Sequence, residues 1–90
     1  MDPPLTKEKV RVKFNGHYET WYNKRKIIGP RIDIHPTHAD SRGVFCDMDG
    51  YIYVGTSLVK KGDLIQTSLG MGKRYEFCSI ANTVEIYTNW

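Results

Sequence analysis

Val10-Arg11-Val12-Lys13-Phe14-Asn15-Gly16-His17-Tyr18-Glu19-Thr20-Trp21-Tyr22 is the stretch that decides the fold class. Residues 10 to 14 alternate apolar with basic side chains, the period of a strand with one face to bury. Asn15-Gly16 follows at once, and this pair accommodates the positive φ angles of a type I′ turn at little cost. The spacing predicts a hairpin over 10–22, with His17 to Tyr22 returning antiparallel and Trp21 opposite Val10.

Outward from the hairpin the same pattern of short strands and turn signals continues. Arg31-Ile32-Asp33-Ile34 alternates between Gly29-Pro30 and Pro36, and His35 to Gly43 is polar and aperiodic, which reads as a surface loop. Val44-Phe45-Cys46 runs into the turn cluster Asp47-Met48-Asp49-Gly50, after which Tyr51-Ile52-Tyr53-Val54 has the β-branched and aromatic content of a strand. Lys60-Lys61-Gly62 marks another turn. Asp63 to Thr67, Arg74 to Cys78 and Thr83 to Tyr87 complete the strands, separated by Gly70-Met71-Gly72 and by Ser79-Ile80-Ala81-Asn82. No segment between these breaks is long enough for a helix, so an all-β fold is expected. A small closed barrel is expected rather than an open sheet, because an open sheet would leave long unpaired edges.

A chain of 90 residues holds one domain, here read as a flexible segment over 1–9, the hairpin over 10–22 and the remaining strands. Hydrophobic residues make up 40% of it, enough for a core, and no apolar run approaches the roughly 20 residues that cross a bilayer. Thirteen Lys and Arg against ten Asp and Glu leave +3, too mild a charge for a dedicated nucleic-acid binder. Cys46 and Cys78 allow one bridge at most, which excludes a disulfide-dense scaffold and leaves a buried thiol pair or a single disulfide open. Residues 1–9 contain no apolar stretch of the signal-peptide kind, so a cytoplasmic chain and one whose leader lies upstream both remain open.

The strongest chemical signal lies near the C-terminus. If the four residues Ser79 to Asn82 join two antiparallel strands, Cys78 pairs with Thr83, Phe77 with Val84, Glu76 with Glu85, Tyr75 with Ile86 and Arg74 with Tyr87. Directly opposed residues have Cβ atoms about 4.5 to 5.5 Å apart, so two ionised glutamates there would repel. Arg74 on the same face relieves the repulsion, or one carboxyl keeps its proton and becomes a general acid. Carboxyl pairs of this kind perform glycosidic chemistry. Two glutamates that simply face water are the competing reading.

Other motifs carry less. His35-Pro36-Thr37-His38-Ala39-Asp40 offers zinc-type ligands, but their spacing matches no helix-borne pattern, and a solvated loop is the better reading. Asp47-Met48-Asp49-Gly50 lacks the further ligands of a calcium loop, since Phe45 and Leu58 stand where those would be. Gly70-Met71-Gly72-Lys73 lacks the spacing and following helix of a phosphate loop and reads as a glycine hairpin. Trp21-Tyr22-Asn23-Lys24-Arg25-Lys26 interleaves rings with cations, as single-strand nucleic-acid surfaces do, although Trp21 has a competing use in the core.

From Asp40 to Trp90 the chain resembles the three-aspartate (3D) type of double-psi β-barrel found in cell-wall lytic transglycosylases and in secreted or phage-encoded proteins of Gram-positive bacteria. The similar stretches are Tyr53-Val54-Gly55-Thr56, Val59-Lys60-Lys61-Gly62-Asp63, Leu69-Gly70-Met71-Gly72-Lys73-Arg74-Tyr75-Glu76 and Thr83-Val84-Glu85-Ile86-Tyr87. Thr56, Glu76 and Glu85 stand at the three aspartate positions. The resemblance implies a double-psi barrel acting on peptidoglycan outside the cytoplasm, with Glu85 as the proton donor and Glu76 tuning or orienting it. It implies no metal or cofactor. On this reading Arg74, Tyr87 and Thr56 hold substrate. The alternatives are a non-catalytic glycan- or protein-binding module, and weak single-stranded nucleic-acid binding through Trp21 to Lys26.

Overall fold

The computed structural model describes residues 4–23 and 37–90. Among these there is no helix, and the chain is all-β. The strands are β1 (Arg11–Phe14), β2 (His17–Asn23), β3 (Thr37–Ala39), β4 (Phe45–Asp47), β5 (Ile52–Thr56), β6 (Leu64–Thr67), β7 (Gly70–Glu76) and β8 (Thr83–Thr88). They form one sheet in the order β1-β2-β8-β5-β4-β3, and the β6–β7 hairpin joins it where β7 pairs with β5.

The first hairpin forms as its sequence dictates. Phe14 pairs with His17 across Asn15 and Gly16, whose φ angles of 50° and 87° are those of the primed turn. The register runs on to place Val10 opposite Trp21, but Val10 lies outside β1 and is 63% exposed. Trp21 packs instead edge-on against Trp90, with ring centroids 5.5 Å apart.

Three local expectations change. β7 and β8 are not a hairpin: β5 lies between them, parallel to β7 and antiparallel to β8. The reason is visible in the loop that joins them. Asn82 takes a left-handed φ of 55° and its amide donates to the Gly16 carbonyl at 2.9 Å, while Tyr18 N donates to the Asn82 carbonyl at 2.8 Å. This docks the loop on the β1–β2 turn and launches β8 parallel to β2. Gly70 to Gly72 belong to β7, and the turn is made by Ser68 and Leu69. Gly72 is needed for close approach, since a Cβ there would stand 3.0 Å from Val54 Cγ1. Within the polar stretch read as a loop, Thr37–Ala39 pairs with β4. The strand expected over 31–34 lies outside the described residues.

The pairings among the described residues do not close on themselves. The edges are guarded by other means: β1, β3 and β6 have four, three and four residues, and β1 carries Arg11 and Lys13. Short, charged edges discourage pairing with other chains without closure.

Alternate residues of the strands face one core of Leu5, Val12, Val44, Cys46, Ile52, Val54, Val84 and Ile86, against which Trp21, Ile65, Leu69 and Trp90 pack. β5 is buried along its whole length, as its central position requires. Leu5, at 2% exposure, places a core residue inside the segment expected to be flexible.

Set into this core face is a charged side chain with no exposed surface, Glu19. Its Oε1 accepts from the Ser68 hydroxyl at 2.6 Å, and its Oε2 accepts from Ser68 N at 2.9 Å and lies 3.0 Å from His17 Nε2. Ser68 Oγ in turn accepts from Leu5 N at 3.0 Å. Three parts of the chain remote in sequence are thereby tied across the core. Glu19→Gln sets an amide NH2 among donors and should destabilise the fold by about 1–3 kcal/mol. Ser68→Ala should cost a similar amount, and both read out as a lower urea midpoint with an unchanged slope.

Candidate functional site

The face of the sheet turned away from this core carries the chemistry. Because laterally paired residues share a face, the register assembles it row by row. One row runs Arg11, Thr20, Glu85, Gly55, Glu76 across β1, β2, β8, β5 and β7. The next runs Tyr22, Tyr87, Tyr53, Lys73 across β2, β8, β5 and β7. Tyr75 joins them through a bulge. The β5–β7 register slips between Val54 and Gly55, so Tyr75 is an extra residue on β7, and its ring stacks on Tyr53 at 4.6 Å.

Glu76 and Glu85 therefore flank one residue, Gly55, rather than facing each other. Two strand spacings put their backbones about 9.5 Å apart. Gly55 keeps the gap open: a Cβ there would stand 3.3 Å from both Glu76 Cβ and the Tyr87 hydroxyl. The Tyr87 hydroxyl thus lies over the glycine, between the two acids. Tyr53 donates to Glu76 Oε2 at 2.7 Å, and Tyr75 donates to Asp47 Oδ2 at 2.6 Å.

The electrostatics follow from this packing. Burial pushes the Glu85 carboxyl above the usual carboxylate range, opposed by the Tyr22 hydroxyl and the Cys78 thiol, which face it and favour its charged form. Tyr87 is raised by burial and then by the charges of Glu85 and Glu76; Tyr53 is raised by burial and by Glu76. Tyr75 is pushed up to about 12 by burial and its bond to Asp47. Tyr22 is raised by the Glu85 charge and by burial. All four remain neutral hydroxyls at physiological pH.

No known protein family, curated protein or solved structure matches this chain. What the site can do must come from its own geometry.

Of the residues singled out from sequence, Glu85, Glu76 and Tyr87 come together on this face. Arg74 does not. It pairs with Val54 in the row of Ile86, because the bulge at Tyr75 breaks the alternation that would have put Arg74 and Glu76 on one side. Its guanidinium donates to the Val59 carbonyl at 2.6 Å and to the Glu76 carbonyl at 3.2 Å, and lies over the Phe77 ring, which binds the 57–59 loop to β7. Thr56 is also elsewhere. It has no exposed surface, and its hydroxyl donates to the Thr83 carbonyl and accepts from Leu58 N.

Trp21 packs against the core, Tyr22 is exposed, and Lys24 to Lys26 of the nucleic-acid reading lie outside the described residues. His35 also lies outside them; Asp40 is held by Arg42 at 2.7 Å and by the Val44 amide at 3.1 Å. Cys46 and Cys78 are both buried and free, the first beside Asp40 and the second beside Glu85, so they form no disulfide. Sequence reading missed Tyr53, Tyr75 and Gly55 as parts of the site, and singled out Tyr22 only within the Trp21 to Lys26 stretch; the three-strand register brings them to the acids. The available signal was the alternation in Tyr51-Ile52-Tyr53 and Glu85-Ile86-Tyr87 of polar-tipped residues about a buried isoleucine.

Asp47 anchors the edge of this face. Burial alone would raise its carboxyl, but hydrogen bonds from the Tyr75 hydroxyl and from the Tyr51 and Asp49 amides outweigh it and hold the carboxyl below its ordinary value of 3.8. A carboxylate lowered by folding adds stability above its unfolded pKa, and that stability is lost as pH falls through the folded value. Acidification below about pH 4 should therefore lower the stability progressively, and denaturant melts of Asp47→Asn should show a lower stability at neutral pH with a shallower decline on acidification.

Proposed function

We propose that the tyrosine–carboxylate face binds a glycan of the cell-wall type and that Glu85 is the proton donor to a glycosidic oxygen. The observation that carries this is Glu85 itself. It is a half-buried carboxyl whose pKa burial raises, it stands beside the exposed Tyr22, and a second carboxyl lies in the same row across Gly55. Raised pKa values and paired carboxyls serve glycosidic bond cleavage. Tyrosine rings with a polar tip suit a ligand that is apolar on its ring faces and hydroxylated at its rim.

The barrel architecture belongs to the same reading. Two parallel ladders, β2–β8 and β5–β7, stand in a chain of short strands, and each requires a crossover connection. These ladders support a double-psi arrangement.

In the proposed reaction the Glu85 carboxylic acid gives its proton to the glycosidic oxygen as the bond to the anomeric carbon breaks. The resulting carboxylate then takes a proton from the sugar's own hydroxyl as that oxygen attacks the same carbon. An anhydro ring forms, Glu85 is protonated again and no water is consumed. Glu76, held by Tyr53, supplies negative charge near the developing cation, and the Tyr87 hydroxyl between the acids orients the ring.

Incubation with purified peptidoglycan should release anhydro-sugar products detectable by mass spectrometry, and Glu85→Gln should lower the rate by about 100- to 10,000-fold. Activity should fall as pH rises through the Glu85 pKa, because the proton must be present to be given. Tyr22→Phe removes a group that favours the carboxylate, so it should move this limb to higher pH. Binding without any anhydro product would overturn the acid role, and failure to sediment with peptidoglycan would overturn the glycan reading.

A further inference from the structure

The row that holds the two acids begins with a cation. Arg11 on β1 pairs with Thr20, which pairs with Glu85, so Arg11 stands two strands from the proposed proton donor on the same face. Its guanidinium lies over the Tyr18 ring, 4.1 Å from the centroid, a cation–π contact that holds the side chain on this face. Arg11 is exposed, and the salt bridges among the described residues join other partners, His17 with Glu19 and Arg42 with Asp40. Lys13, also exposed, pairs with Tyr18 in the adjoining row.

Arg11 is held on an aromatic ring, two strands from Glu85 and four from Glu76 in the same row. Between Arg11 and Glu85 lies Thr20, whose hydroxyl is buried without a partner. The face thus presents a positive fork at one end and Glu85 two strands away, with a small side chain between, over a backbone span of about 9.5 Å. This span accommodates neighbouring sugar rings.

We infer that Arg11 is a specificity-determining residue of the glycan face, and that the substrate class is a glycan bearing a carboxylate, which Arg11 grips through its fork while the adjoining ring lies at Glu85. The inference rests on the glycan reading above and adds the sign of the substrate's charge. Planar carboxylates match the guanidinium fork with two parallel hydrogen bonds, and this geometry is unavailable to Lys13 or to a lysine substituted at position 11. An anionic substituent also suits a face whose far end is acidic, since repulsion from Glu76 and Glu85 disfavours the reversed orientation of the same ligand.

The test is an NMR titration of the full chain with two probes, a muropeptide-free glycan fragment carrying free carboxylates and the same fragment with its carboxyls converted to amides. Wild type should bind the carboxylate form about tenfold more tightly, the difference expected of one charge-assisted contact. Arg11→Gln should abolish that preference while binding the amide form as wild type does, and Arg11→Lys should restore only part of it. Equal binding of both probes by wild type, or a preference that survives Arg11→Gln, would overturn the role of Arg11 and leave the glycan reading standing. If neither probe binds, the glycan reading falls and this inference with it. Unchanged amide cross-peaks elsewhere in Arg11→Gln establish that the variant is folded.

Discussion

A carboxyl group with no exposed surface must find donors, and Glu19 finds them at a turn from the far side of the sheet. Along the ladder, β2 and the β6–β7 hairpin are separated by β8 and β5, so a flat sheet would never bring Glu19 to Ser68. The sheet has to coil until its two halves face each other across Val54, Val84 and Ile86. Leu5 N, bonded to the same serine, closes the remaining side with an N-terminal segment that has no ladder of its own. Leaving any of these donors or acceptors buried and unpaired would cost about 1–3 kcal/mol, a large share of a small domain's stability. The polar cluster thus converts a sheet whose pairings stay open into a compact body.

That coiling also decides what the outer face can hold. β5 carries β7 on one edge and β8 on the other, and residues from both neighbours converge over it. A single slip in register, the extra Tyr75 on β7, has two effects. It turns Arg74 into the loop at Val59, and it lets Tyr75 and Glu76 both stand on the outer face beside Tyr53. Without the bulge, Gly55 would pair with Tyr75, and Glu76 would fall on the side of Arg74 and Val54. The local irregularity is therefore what puts Glu76 in the row of Glu85.

The β nature of the chain and its first hairpin were legible because both rest on neighbours in sequence: an alternating run and an Asn-Gly turn settle each other within a few residues. The last hairpin was not. Ser79 to Asn82 has a length that fits a hairpin loop, but Asn82 binds Gly16, 66 residues away, and that contact outranks the local option. Glu76 and Glu85 are not directly opposed but still share a row, because the row survives the insertion of one strand and the inserted residue, Gly55, is small. Thr56 and Arg74 were misplaced for the complementary reason: their side depends on a bulge and on burial set by distant strands. Tyr53 and Tyr75 escaped notice because rings in β-rich sequences ordinarily read as core, and here Tyr53, like Tyr87, is buried and yet lies on the polar face.

Gly55 is the position at which β7, β5 and β8 lie side by side, with Glu76 and Glu85 on the strands to either side and the Tyr87 hydroxyl over it. A side chain there would press on the Tyr87 hydroxyl and on Glu76 Cβ. Glycine weakens a central strand by removing packing and adding backbone freedom in the unfolded chain. A fold of 90 residues has little stability to give up, and this position gives some up in the middle of its most buried strand. Such a concession is intelligible where the volume above the glycine has a use, and the row it interrupts, from Arg11 to Glu76, is the one in which charge of both signs is held apart rather than paired.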